Sequence, residues 1–135
     1  MIKSIVCSIS IISFSFAIDN KGDSLVMEGV RSFYNYEFKR SIDILNEARL
    51  EYPDHPGVHF IWSSSKYYIS QGIDPVHATY DTLDKVLNQI EPIYERFVEE
   101  EPNNNEYKLY LGSTRGLKAR SSLGNKDWIS VLIQA

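Results

Sequence analysis

The sequence predicts an all-α protein made of antiparallel helical hairpins, and three observations carry that expectation. Phe38, Ile42, Leu45 and Ala48 recur at steps of three and four, with Lys39, Arg40, Asp43 and Glu47 between them. That spacing puts the apolar residues on one buried face of a helix. The stretches Tyr52-Pro53-Asp54-His55-Pro56-Gly57 and Glu101-Pro102-Asn103-Asn104-Asn105 concentrate turn formers and punctuate the periodic segments. Small residues recur within the periodic segments, at Gly29, Ser41, Ala48, Ser63 and Gly112, and such residues let helices packed side by side approach closely. No segment reads convincingly as a strand.

Taken in order, the helices are expected at about 24–34, 37–51, 57–70, 74–101, 105–123 and from 126 onward. The first two form a hairpin that the Pro53 turn closes, since proline has no N–H to continue a helix. The third ends at Ser70-Gln71-Gly72-Ile73, after which Asp74 is placed to cap the fourth helix and Pro75 to open it. The fourth carries Val86, Leu87, Ile90, Ile93 and Phe97 on one side, but Pro92 falls inside that series, so a kink or break is expected there. Glu99, Glu100 and Glu101 read as a solvated helix end, in a position the helix dipole disfavours modestly. The fifth helix ends near Gly124-Asn125-Lys126, and the apolar Trp128, Ile129, Val131, Leu132 and Ile133 follow in the sixth.

Length and composition fit one domain: 135 residues, 43% hydrophobic and 13% aromatic, are enough for a packed core. Lys3, the uncharged stretch 4–16 and the small-x-small site Ser15-Phe16-Ala17 read as a signal peptide over 1–17, with a mature chain beginning at Ile18. Export to the periplasm, the cell surface or the medium follows. The stretch falls short of the roughly twenty apolar residues of a membrane span, so membrane contact is expected only if the leader is retained. Cys7, the single cysteine, lies inside the leader near the start of its apolar run, which excludes disulfides from the mature domain and disfavours lipid attachment. The formal charge of -4 leaves no basic face for nucleic acid.

Catalytic and metal chemistry find little support. Ser63-Ser64-Ser65 lies in a helix without a nucleophile elbow, and small residues that permit helix contact explain it better. His55 falls in a turn and His59 in the first turn of the following helix, so the two do not share a regular helix face, and no third ligand accompanies them. His77 stands alone near a helix start. No phosphate loop or paired catalytic carboxylates stand out. The chain is expected to be a non-enzyme without cofactor.

The spacing Gly29, Phe38, Ser41, Leu45, Ala48, Pro53 resembles the tetratricopeptide repeat (TPR) family, with Pro53 at position 32 of the 34-residue unit. Carried onward, the register puts Phe60, Trp62, Ser63 and Tyr67 at positions 5, 7, 8 and 12 of a second unit, and Leu111-Gly112 at 7 and 8 of a third. The third unit, Leu-Tyr-Leu-Gly-Ser-Thr-Arg-Gly-Leu-Lys-Ala-Arg-Ser-Ser-Leu-Gly-Asn-Lys-Asp-Trp, is similar to uncharacterised exported bacterial members. The likeness covers most of the mature chain, 18–135, with hairpins at about 23–53, 56–102 and 105–135, the last of them incomplete. It departs in three ways. Pro53 and Pro102 are 49 residues apart instead of 34, Gly116 stands where an aromatic is commoner, and the last turn comes late. A lengthened second helix in the middle hairpin is expected to absorb the excess.

The resemblance implies a scaffold that binds a peptide or partner subunit in a concave groove. Its groove positions fall on Asp23, Val26, Val30, Phe33 and Tyr34, then Gly57, Phe60, Ser64, Tyr67 and Tyr68, then Glu106, Leu109, Ser113, Gly116 and Leu117. Phe33, Tyr34, Phe60, Tyr67 and Tyr68 are accordingly the candidate binding residues, with apolar bodies and, on the tyrosines, hydroxyl tips suited to peptide or to a sugar ring. The same aromatics could equally pack between hairpins. The basic residues with which some members clamp a peptide carboxylate are missing from these positions. Alternatives remain open: a structural subunit, or a piece of a longer repeat protein, docking through its last hairpin, and a carbohydrate-binding module.

Overall fold

The periodicity is realised as five helices in the computed structural model, which describes residues 22–124. They are α1 (Asp23–Tyr34), α2 (Phe38–Glu51), α3 (Val58–Ile73), α4 (Val76–Glu100) and α5 (Asn105–Gly124). Each packs mainly on its neighbours in sequence, and α1 also touches α3. That order is a short α-solenoid of antiparallel helical hairpins. The expected leader over 1–17, the start of the mature chain at Ile18 and the sixth helix from 126 lie outside the described residues.

The first hairpin shows why small residues stand where they do. Gly29 and Ser41 are both buried, and the Ser41 hydroxyl donates to the Gly29 carbonyl across the helix pair at 2.8 Å. A Cβ at position 29 would lie 2.6 Å from Leu45 Cγ, so only glycine admits this approach. Ser41 Oγ also lies 2.9 Å from Ser65 Oγ of α3, and with the Ser41 proton given to Gly29, the single Ser65 proton is shared between Ser41 and the Ile61 carbonyl of its own helix. Two serines thus bring α1, α2 and α3 together with their hydroxyls satisfied, as burial requires. Ser63 and Ser64 both donate to the Phe60 carbonyl.

Helix α4 absorbs the excess length of the middle hairpin, with 25 residues against 14 in α2. It runs through Pro92 without a break. The bond that proline cannot make would go to the Asn88 carbonyl, and both residues face solvent, where water can take the place of the missing N–H. Its buried residues, Thr79, Leu83, Val86, Leu87, Ile90, Tyr94 and Phe97, form the apolar stripe on which α3 and α5 pack. The expected Asp74 cap is not made. Asp74 instead accepts a hydrogen bond from Ser70 at 2.6 Å at the end of α3, and Pro75 takes the N-cap place.

The α4 to α5 seam is tied by charge. Arg115 reaches Glu91 and Glu95 at 3.2 and 2.8 Å, and Lys118 also bonds Glu91. Burial alone would raise the Glu91 carboxyl, but hydrogen bonds from Lys118 and Arg115 outweigh it and bring its pKa below the ordinary value. In the core, the Tyr94 hydroxyl donates to the Pro56 carbonyl at 2.6 Å and accepts from the Phe60 amide at 3.0 Å. It fastens α4 to the entry of α3, and burial raises its pKa. Among the described residues no helix is long and apolar enough to cross a membrane.

Candidate functional site

The turn between α1 and α2 positions an aromatic cluster. The Tyr36 amide donates to the Phe33 carbonyl at 3.0 Å and the Glu37 amide to the Ser32 carbonyl at 2.9 Å. This pair of bonds is the Schellman pattern, in which the residue after the C-cap takes a left-handed conformation that glycine fits best. Tyr36 occupies it with φ at 63°, the only non-glycine residue of positive φ among those described. A bulky side chain in that region is strained. What the chain obtains from the strain is a phenol held out in solvent, 83% exposed.

Around Tyr36 the rings touch in sequence. Phe38 lies 6.0 Å from Tyr36 between centroids and stacks on Tyr68 of α3 at 5.4 Å and 17°. Phe33 meets Tyr34, Phe38 and Tyr68 at 5.4, 5.5 and 5.5 Å. These five residues line a shallow cleft of about 220 Å³ with no charged group in its lining. Tyr34 is 71% exposed and Tyr68 44%, while Phe33 and Phe38 are half-buried and form the floor. The arrangement can grip an uncharged, apolar body and offer phenol hydroxyls at its rim.

Of the five residues expected in a groove, the structure brings Phe33, Tyr34 and Tyr68 into this cleft. Tyr67 is 8% exposed and belongs to the core, a correction that follows from the turn of α3: its neighbour Tyr68 takes the outward side. Phe60 packs partly buried against Tyr110 of α5, with centroids 5.7 Å apart, away from the cleft. Other matched positions also depart from a groove. Val26 is buried, and Asp23 meets His55. Gly116, with nothing within 4 Å of a Cβ, is open. Tyr36 and Phe38 were missed. The signal for Tyr36 was its place in the two-residue gap between helices, where glycine or asparagine would be usual; Phe38 was read as a helix residue of the first repeat.

The histidines have structural partners. His55 Nδ1 accepts from the Gly57 amide at 3.1 Å, which leaves Nε2 to donate to Asp23 at 2.8 Å. His59 is buried, accepts from Arg49 Nε at 3.0 Å and donates from Nε2 to the Pro53 carbonyl at 2.7 Å. Burial depresses its pKa to about 4. Among the described residues no group of three or more His, Cys, Asp or Glu side chains is placed to hold a metal ion. A second cleft, of about 400 Å³, runs beside Glu28, Glu37 and Arg40, but its charges compensate one another through the Arg40 ion pairs at 3.2 and 3.3 Å.

Compared with protein-family models, with curated proteins and with solved structures, the chain finds no match.

Proposed function

We propose that this protein is an exported, TPR-like interaction scaffold that holds a peptide or a partner subunit through the aromatic cleft at the α1 to α2 corner. The observation that carries this reading is Tyr36. A tyrosine in the left-handed position of a Schellman turn works against stability where glycine would serve, and strain retained at an exposed position points to use of the side chain. Exposed Tyr34 and Tyr68 beside it make a contiguous apolar patch of the kind that marks interaction sites. Rigid aromatic anchors suit such a role because they bury much area at small entropic cost. Export rests on the leader read in residues 1–17, and membership of the TPR family on the Gly29 to Pro53 spacing.

The test is quantitative. Partners cross-linked to the full chain in its native compartment are identified, and the dominant one is titrated against the wild type and against the Tyr34→Ala, Tyr36→Gly, Tyr68→Ala variant. A loss of about 2 kcal/mol or more is expected from removal of three anchors. Undiminished affinity in a folded variant places the interface elsewhere.

A second reading has its own observation. Leu109 on α5 is 65% exposed, and among the described residues neither Gly112 nor Gly116 has a neighbour within 4 Å of a Cβ, so at these positions the helix has a face that none of them covers, able to receive another helix. That favours docking through the last hairpin, and its mark would be loss of association on Leu109→Lys with the cleft intact.

A further inference from the structure

Where α2 meets α3, the indole of Trp62 is 3% exposed and two cations stand over it. Arg49 Cζ lies 3.7 Å from the ring centroid and Lys66 Nζ 4.3 Å. The indole N–H donates to Asn46 Oδ1 at 2.7 Å, which fixes that amide at the edge of the ring. Arg49 is fixed in turn by its Nε bond to His59 Nδ1. Because His59 accepts there and donates to Pro53, its imidazole is neutral and leaves the guanidinium charge uncompensated.

The unusual feature is a pair of cations held on one ring. Arg40, Arg96, Arg115 and Lys118 all find carboxylates. Arg49 and Lys66, like Arg31, Lys39, Lys85, Lys108 and Arg120, have no carboxylate within 4.0 Å among the described residues, but of these only Arg49 and Lys66 share one aromatic ring. Arg49 Nη1 and Nη2, Lys66 Nζ and Asn46 Nδ2 have no acceptor among the described residues. Stacking on Trp62 explains why the cations lie over the ring, but it engages the flat face of a guanidinium and leaves its N–H edge unused. Burial lowers the pKa of both groups, and the charges of Arg49 and Lys85 lower that of Lys66 further. Like charges held side by side repel, and an anion between them would relieve that repulsion.

We propose that Arg49, Lys66 and Asn46 around Trp62 form a binding site for a phosphate-type oxyanion. Sharing one ring, the two cations are at most about 8 Å apart, so one tetrahedral anion seated at the ring edge can reach both with separate oxygens. Two positive charges match a phosphate dianion better than a single carboxylate, and the surplus of donors with no acceptor suits an anion that carries no proton at the contact. The proposal is independent of the aromatic cleft.

The full chain is titrated with inorganic phosphate against sodium chloride at matched ionic strength, following the Trp62 indole N–H resonance identified with Trp62→Phe. The expected result is a saturable shift with phosphate and none with chloride. Lys66→Gln, a mild surface change, is expected to weaken binding about tenfold, and Lys108→Gln on α5 to leave it unchanged. Arg49→Gln should weaken it at least as much, but it also loses the His59 bond, so Lys66→Gln decides. A shift that only grows linearly, one that chloride reproduces, or one that saturates at the same concentration in Lys66→Gln overturns the site.

Discussion

Replacing Gly29 with alanine tests the packing of the first hairpin, and the sign of the effect can be worked out from two opposing terms. Alanine favours the helix over glycine by about 0.5–1 kcal/mol. Against that, its Cβ would sit 2.6 Å from both Cγ and Cδ2 of Leu45, where carbon pairs rest at roughly 3.5–4.0 Å. Leu45 would have to retreat by about 1 Å, yet it is completely buried, in the kind of interior that is packed as densely as an organic crystal. Overpacking of this kind costs about 1–3 kcal/mol, so Gly29→Ala is expected to destabilise on balance.

A double-mutant cycle isolates the packing term, because the helix preference of alanine is the same in both backgrounds and cancels. Leu45→Ala removes both clashing atoms at its own cost of about 2–5 kcal/mol. In that background Gly29→Ala should become stabilising, and the coupling between the two changes should reach about 1–3 kcal/mol by urea unfolding. Gly112→Ala supplies the reference, since nothing lies within 4 Å of a Cβ there, and it should stabilise by about 0.5–1 kcal/mol. Additivity within about 0.5 kcal/mol at Gly29 and Leu45 would refute the close approach and with it the register of the first hairpin.

Three further outcomes are expected. Tyr67→Ala should cost about 3–5 kcal/mol as a large-to-small change in the core, whereas Tyr68→Ala, at the cleft, should cost clearly less in the same urea titration; equal losses would deny the division between them. Stability should fall as pH drops from about 6.5 to 4, since His59 is neutral in the folded state with a pKa near 4 and takes up a proton far more readily when unfolded. The full loss, complete below pH 4, is about 3 kcal/mol, the depressed Glu91 carboxyl acts in the same sense at lower pH, and a flat profile in this window contradicts the buried neutral imidazole. Tyr36→Gly should raise stability by about 1 kcal/mol through relief of the left-handed strain while reducing partner affinity, and a loss of stability would show that the Tyr36 ring contributes more by packing on Phe38 than its backbone gives up.

How far the chain could be read from its sequence depended on whether a feature is local. Helix α2 was legible because Phe38, Leu45 and Ala48 fall on one 3.6-residue face, and the turns at Pro53 and Pro102 are written in residues that cannot continue a helix. Whether Pro92 ends the helix depends on which side of α4 it occupies: facing solvent, it leaves only a carbonyl for water to satisfy, and the helix continues past it. The small residues show the same limit. Gly29 meets Leu45 at once, whereas Gly112, matched to the same repeat position, is exposed, and the helix expected against it lies outside the described residues.

The candidate cleft was half legible for a related reason. Tyr67 and Tyr68 are adjacent and chemically alike, so the direction each takes is decided by about 100° of helix rotation, and a repeat register carried from the first hairpin through the Pro53 turn does not fix that angle. Phe33, Tyr34 and Tyr68 came from the register, but Tyr36 and Phe38 complete the cleft from the turn, a place the register treats as a connection. The strain at Tyr36 is what joins the two halves of the reading. A helix end with the bonds of a Schellman turn specifies glycine for stability, and the chain puts there a ring that contacts Phe38 and extends the exposed aromatic surface toward solvent. The side chain that weakens the turn is therefore the one best placed to meet a partner, and the opposing effects of Tyr36→Gly on stability and on affinity would separate those two roles.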